Sequence, residues 1–170
     1  MFSHIEFFFL KGETSLVNYI ETMRRFIGHE TLMTVGCGVI IEHNGQILLQ
    51  HRTDDDTWCI PGGLMEIGET FAEAASREVF EETDLIVNHL ELFGLYSGEQ
   101  NVFEYPNRDR VFSVQVIFKT ASYSGELRQE GMETKEHRFF SRDNLPFNLT
   151  TRQKPFIIDW KEGKATPVLR

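Results

Sequence analysis

Gly63-Leu64-Met65-Glu66-Ile67-Gly68-Glu69 and, after a gap of seven residues, Arg77-Glu78-Val79-Phe80-Glu81-Glu82-Thr83-Asp84-Leu85 decide how this 170-residue chain folds. A glycine-rich segment leads straight into a helix expected from about Thr70 to about Asp84. At roughly 100° per residue, Glu78, Glu81 and Glu82 share about a quarter to a third of the helix circumference. Phe71, Ala74, Ala75 and Val79 fall on or beside the same side. The carboxylates therefore lie at the margin of the buried face, not in the middle of a solvated one. Like charges so placed repel one another, and a divalent cation removes that cost. Oxygen donors without nearby Cys or His suit Mg²⁺ or Mn²⁺. Gly62 and Gly63 lack a Cβ, so the backbone there can approach a ligand or metal closely.

Upstream, residues 34–42 and 47–50 read as strands joined by His43-Asn44-Gly45-Gln46, whose Asn-Gly pair favours a tight hairpin. Asp54-Asp55-Asp56 begins a polar loop that ends in Trp58-Cys59-Ile60-Pro61-Gly62-Gly63. Residues 14–28 place Leu16, Ile20, Met23 and Ile27 at helical spacing, with Thr14 or Ser15 as N-cap and Gly28 as stop. Downstream, residues 90–97 and 111–120 read as strands, with a long polar loop over 100–110 between them. Residues 137–141 form a short strand ended by Leu145-Pro146, and residues 151–160 a last helix with Pro155 in its first turn. Helices at both ends and in the middle of a strand series predict an α/β/α sandwich around a mixed sheet.

The box resembles the signature of the Nudix hydrolases: Gly, five residues, Glu, seven residues, Arg-Glu, an aliphatic, any residue, Glu-Glu, any residue, Gly, an aliphatic. Eight of its nine specified positions are met. Such a match arises by chance on the order of once per million chains. Ile47-Leu48-Leu49-Gln50-His51-Arg52, Trp58 and Pro61-Gly62-Gly63 upstream, with Phe139-Phe140 and Leu145-Pro146 downstream, are similar to the family as well. The resemblance covers residues 32–147 of a single domain, leaving residues 1–28 as an N-terminal extension and residues 151–160 as a C-terminal helix. One position departs: the closing glycine is Asp84, a residue that tolerates the left-handed conformation at some cost in stability.

What the resemblance implies is an enzyme that hydrolyses a nucleoside diphosphate linked to another group, with Mg²⁺ or Mn²⁺ as cofactor. Carried over residue by residue, Glu78, Glu81 and Glu82 and the carbonyl of Gly62 would hold the metal. Glu69 would pair with Arg77 to fix the loop on the helix. Glu78 or an acidic residue late in the sheet would take the proton from water. Glu133 is the choice among Glu130, Glu133 and Glu136, because Gly131 and Thr134 put it in a loop before the last strand. Arg52, Trp58 and Tyr105 are candidates for substrate binding, with core packing or an ion pair to the aspartate run as the competing explanations; Tyr96 and Phe103 share the packing explanation. The subfamily markers for ADP-ribose and for diadenosine polyphosphates are a proline and a tyrosine about sixteen residues past the box. Gln100, Asn101 and Val102 stand there instead, which leaves nucleotide sugars and nucleoside triphosphates as the expected substrates. A non-catalytic ligand sensor would have lost box glutamates that this chain keeps. An isomerase of the isopentenyl diphosphate branch would need a reactive cysteine, and Cys59 sits at a strand end expected to be buried.

Composition narrows the remaining choices. Forty-one per cent apolar residues supply a core, and a formal charge of −9 disfavours a nucleic-acid scaffold or an anionic membrane surface. Two cysteines, Cys37 and Cys59, support neither a disulfide framework nor a four-cysteine zinc site. No stretch reaches the length of a membrane span, and a cytoplasmic location is expected. Phe2, Ile5, Phe7, Phe8, Phe9 and Leu10 give the N-terminus more apolar surface than a lone arm leaves in water, so a homodimer is expected.

Overall fold

The structure, a computed structural model, describes residues 19–129, 131 and 133–170. In chain order its elements are α1 (Tyr19–Ile27), β1 (Leu32–His43), β2 (Gln46–Arg52), β3 (Trp58–Cys59), β4 (Gly62–Leu64), α2 (Phe71–Thr83), β5 (Ile86–Asn88), β6 (Glu91–Tyr96), β7 (Val102–Glu104), β8 (Arg110–Thr120), β9 (Ser122–Ser124), β10 (Thr134–Ser141), α3 (Lys154–Glu162) and β11 (Val168–Leu169). The apolar arm and the start of the first expected helix lie outside the described residues, and with them the surface on which the homodimer expectation rests.

Side-chain alternation along β1 sets the layers. Cys37, Val39 and Ile41 point to one face, where Ala74, Ala75 and Val79 of α2 cover them. Ile40 points to the other, where Phe156, Ile157 and Trp160 of α3 close a second apolar cluster. Burying each such large aliphatic contributes about 1.5–3 kcal/mol relative to leaving it in water. The main sheet runs β10-β2-β1-β8-β6-β11, with β3, β4 and β7 attached to β2, β1 and β8 respectively. β1 and β8 pair in parallel from Leu32↔Val111 to Ile41↔Thr120, and β6 and β11 are also parallel. The remaining pairings are antiparallel, so the sheet is mixed, as the strand series predicts. Asn44 and Gly45, at φ 49° and 77°, make the tight turn between β1 and β2.

Several details differ from the expectations. The polar loop over 100–110 contains β7, which adds to β8 through Val102↔Phe112 and Glu104↔Arg110. The last helix begins at Lys154, because Thr150 and Thr151 form the turn that feeds it. Phe71 of α2 is 48% exposed, since it stands at the first turn beyond the sheet's cover.

Both ends of α2 are fixed by its own sequence. Thr70 and Glu73 make a reciprocal capping box. Asp84 takes the left-handed conformation at φ 61°, and its N–H reaches the carbonyl of Phe80 at 2.9 Å. Its carboxylate accepts from Arg128 Nε at 2.8 Å. On the far side of the sheet the buried Asp159 takes hydrogen bonds from Lys164, Arg170 and Tyr96. Burial opposes ionisation of Asp159, but those three donors outweigh it and hold the carboxyl below the usual range.

Candidate active site

The segment from Gly62 to Glu69 is held against α2 by one guanidinium. Arg77 donates to both oxygens of Glu69, at 2.7 and 3.0 Å, and to the carbonyl of Leu64 at 3.0 Å. Glu69 in turn accepts from the N–H of Glu66 at 2.8 Å. The remaining Arg77 nitrogen, Nη1, donates to Glu78 at 2.8 Å and to Glu81 at 3.1 Å. It thus supplies positive charge between two of the three carboxylates that crowd this side of the helix.

Glu82 is set deeper. The N–H of Gly62 donates to it at 2.8 Å, and the amide of Gln50 donates as well. Burial pushes its carboxyl up to about 7, against those two hydrogen bonds and with some help from the charge of Glu78. Burial also raises Glu78, while Arg77 pulls it back. Gln50 is 2% exposed and accepts from Thr134 Oγ1 at 3.2 Å, so the Glu82 support reaches the first residue of β10. The sequence reading missed Gln50, although one polar side chain closing the run Ile47-Leu48-Leu49 is a usable signal.

Both glycines before the loop are there for close approach. A Cβ on Gly62 would lie 2.5 Å from the carbonyl oxygen of Cys37 and from the Cα of Gly38. A Cβ on Gly63 would lie 2.4 Å from Glu78 Oε2. Among the described residues no three His, Cys, Asp or Glu side chains already surround a common point as a metal cage. The ingredients of one, oxygen donors at elevated pKa packed beside Gly62, are nevertheless together.

A cleft of about 190 Å³ opens on the other side of Gly62–Leu64. Arg52, Phe103, Tyr105 and Arg152 line it. Arg52 is engaged by Asp54 through two hydrogen bonds, at 2.8 and 2.6 Å. Arg152 lies 4.8 Å over the Phe103 ring and donates to the Tyr105 hydroxyl at 3.3 Å. Trp58, a candidate for base stacking, is instead a core residue. It is 6% exposed, stacked on His51 at 4.6 Å and edge-on to Phe140 at 4.8 Å, because β3 turns it inward under β10. Tyr96 is likewise in the core, bonded to Asp159.

Of the three late acidic residues, Glu130 lies outside the described residues. Glu133 is exposed just before β10, and its carbonyl accepts from the N–H of Thr53 at 3.0 Å. Glu136 pairs with Arg138 at 2.8 Å. Burial pushes the thiols of Cys37 and Cys59 up to about 11 and about 12, so both stay neutral and unreactive at neutral pH.

Comparison with known proteins places this geometry. Residues 31–160 match the model of the NUDIX domain. The chain is 37% identical over 131 residues to an ADP-ribose pyrophosphatase of Methanocaldococcus jannaschii, covering 73% of this chain and 72% of that one. It is 30% identical over 101 residues to an NAD-capped RNA hydrolase of Vibrio vulnificus, covering 59% of this chain and 35% of that one. Among solved structures, a MutT NUDIX hydrolase from Burkholderia pseudomallei superposes with a TM-score of 0.65 at 26% identity, covering 75% of this chain and 97% of that one. With a family model spanning most of its length and the box carried on α2 behind a glycine-lined cleft, the chain belongs to the Nudix family and is one of its hydrolases.

Proposed function

We propose that the chain hydrolyses a phosphoanhydride bond in nucleoside diphosphate derivatives, with Mg²⁺ or Mn²⁺ as its cofactor and nucleotide sugars or nucleoside triphosphates as its substrates. The observation that carries this reading is the placement of Glu78 and Glu82, both raised by burial, against the glycine-lined edge of a cleft large enough to admit part of a nucleotide. The donor set fits a hard cation: it is oxygen only, crowded, and partly neutralised by Arg77. Glu78, Glu81, Glu82 and the carbonyl of Gly62 would hold the ion. Bound there, it supplies neutralisation of the phosphate charge and a more acidic attacking water.

The chain's own groups do the rest. Arg77 and Glu69 keep the loop from drifting off α2. Gln50 and the Gly62 N–H fix the rotamer of Glu82. Glu78 or Glu133 accepts the proton of the attacking water. Tyr105 and Arg52, at the cleft, contact the substrate.

The test is hydrolysis of UDP-glucose, GDP-mannose, ADP-ribose and dGTP with Mg²⁺ or Mn²⁺, read as phosphate released by a coupled phosphatase. ADP-ribose is included because the Methanocaldococcus jannaschii relative is named for it. Turnover of at least one compound, abolished by EDTA, is expected; no turnover of any of them, or turnover indifferent to chelation, ends the reading.

A further inference from the structure

The sheet face under α3 is apolar where the helix covers it, at Ile40, Ile47, Leu49 and Ile117. Toward the starts of β1 and β8 the same face leaves the helix, becomes the floor of the cleft and turns polar. Its polar residues there fall in two register pairs, Thr34↔Ser113 and Gly36↔Gln115, with the apolar pair Leu32↔Val111 beyond them. Thr34 and Ser113 are only 6% and 3% exposed, and their hydroxyl oxygens lie 3.4 Å apart. Gln115 Nε2 donates to the Ser113 hydroxyl. The amide rests flat on Gly36, since a Cβ at residue 36 would lie 2.6 Å from Gln115 Oε1 and 2.7 Å from Nε2.

Aliphatic side chains would serve the sheet better at these positions, as they do farther along the same face at Ile117 and Ile40. An amide carries two N–H donors and two acceptor lone pairs, and among the described residues only one donor is used. What is left is one acceptor and one donor side by side, set by a buried hydroxyl pair in the floor of a cleft. The flat group of Phe103, Tyr105 and Arg152 also lines the cleft. A planar heterocycle with an adjacent donor and acceptor on its edge complements that floor.

We propose that Gln115 is the specificity-determining residue for the nucleobase: the base enters the cleft beside the amide that covers Gly36, and the Gln115 amide, oriented by Ser113 and Thr34, hydrogen-bonds its edge. This rests on the hydrolase reading above and adds to it which end of the substrate enters the cleft and what reads it.

The test holds the sugar constant and varies the base: kcat/KM for ADP-, GDP-, UDP- and CDP-glucose with Mg²⁺, for the wild type and for Gln115→Leu. The wild type should spread the four by about tenfold or more, the discrimination of a paired base edge. Gln115→Leu should bring them within about threefold, by raising KM for the best compound while kcat and melting temperature hold. Gly36→Ala, whose new methyl displaces the amide, should erode the preference in the same direction. A wild type that treats all four alike, or a Gln115→Leu loss equal for all four, overturns the inference. If the wild type hydrolyses none of them, the substrate reading fails separately. The inference is then decided by titration calorimetry with AMP, GMP, UMP and CMP: unequal affinities levelled by Gln115→Leu sustain it, and equal ones overturn it.

Discussion

Replacing Gly63 by alanine adds a single methyl at the point where β4 passes Glu78. That Cβ would lie 2.4 Å from Oε2, 2.5 Å from Cδ and 2.6 Å from Oε1 of Glu78, where ordinary van der Waals contact begins at 3.4 Å. The backbone at residue 63 is not in the left-handed region, and the atoms struck belong to the far end of a side chain. The methyl is therefore accommodated by moving the carboxylate about 1 Å, not by unfolding the strand. A displacement of that size in a reacting group costs about 100-fold in rate. Steady-state hydrolysis of the best substrate, with Mg²⁺ saturating, should show this loss alongside a melting temperature within a few degrees of the wild type. Gly62→Ala supplies the contrast, because its Cβ would meet the backbone of Cys37 and Gly38 at 2.5 Å. There the fold itself should weaken. Full activity in a folded Gly63→Ala protein would refute the reasoning, since the Glu78 carboxylate would then have no role at its observed position.

Glu82→Gln should abolish turnover, while melting temperature without metal holds or rises because a buried charge is removed; an active variant sinks the assignment of Glu82 as a ligand. Mg²⁺ or Mn²⁺ should raise the melting temperature by mass action, with no requirement for Zn²⁺, and a melt indifferent to both ions contradicts the site. Asp84→Gly sets about 1 kcal/mol gained at the left-handed position against the small contribution of the solvent-screened Arg128 pair. Chemical denaturation should therefore find it neutral or slightly stabilising, and a clear loss would give the pair more weight than its exposure allows. Asp159 has a folded pKa below its unfolded value, so its contribution is fully present above about pH 4 and is lost as pH falls through the lower folded value. Melting temperature should drop with acid over that window, and Asp159→Asn should flatten the drop; an unchanged slope would mean the buried carboxylate is not what titrates.

How much of this was legible beforehand depended on how local each signal is. α2 is legible nearly to the residue because its expected bounds, Thr70 and Asp84, are its two caps, whose chemistry is confined to one turn. The β1–β2 hairpin followed from Asn44-Gly45 for the same reason. β4 and β11 are not legible because two or three residues are too few to show a period, and each exists only by pairing with a strand well back in the chain. Within the site, the carboxylates of the box were visible from spacing alone. Gln50 and Gln115 were not, since their significance comes from what stands across the sheet: Thr134 for one, Gly36 and Ser113 for the other. Trp58 shows the converse, as a residue whose type suggests a ligand but whose neighbours, His51 and Phe140, already engage it.

The parallel pairing of β1 with β8 has a consequence for the order in which the molecule is made. Box, α2 and β5 to β7 all lie in the chain between these two strands. The hairpin of β1 and β2 and the capped helix α2 depend on near neighbours in sequence and can form while synthesis continues. The pairs Thr34↔Ser113 and Gly36↔Gln115 join positions far apart in the chain, which is the slow kind of contact. A nascent or truncated chain that stops short of Arg110 therefore presents the glutamates of α2 with only the β1 half of the cleft floor. On the ribosome, the acidic half of the site exists before Ser113 and Gln115 have been made.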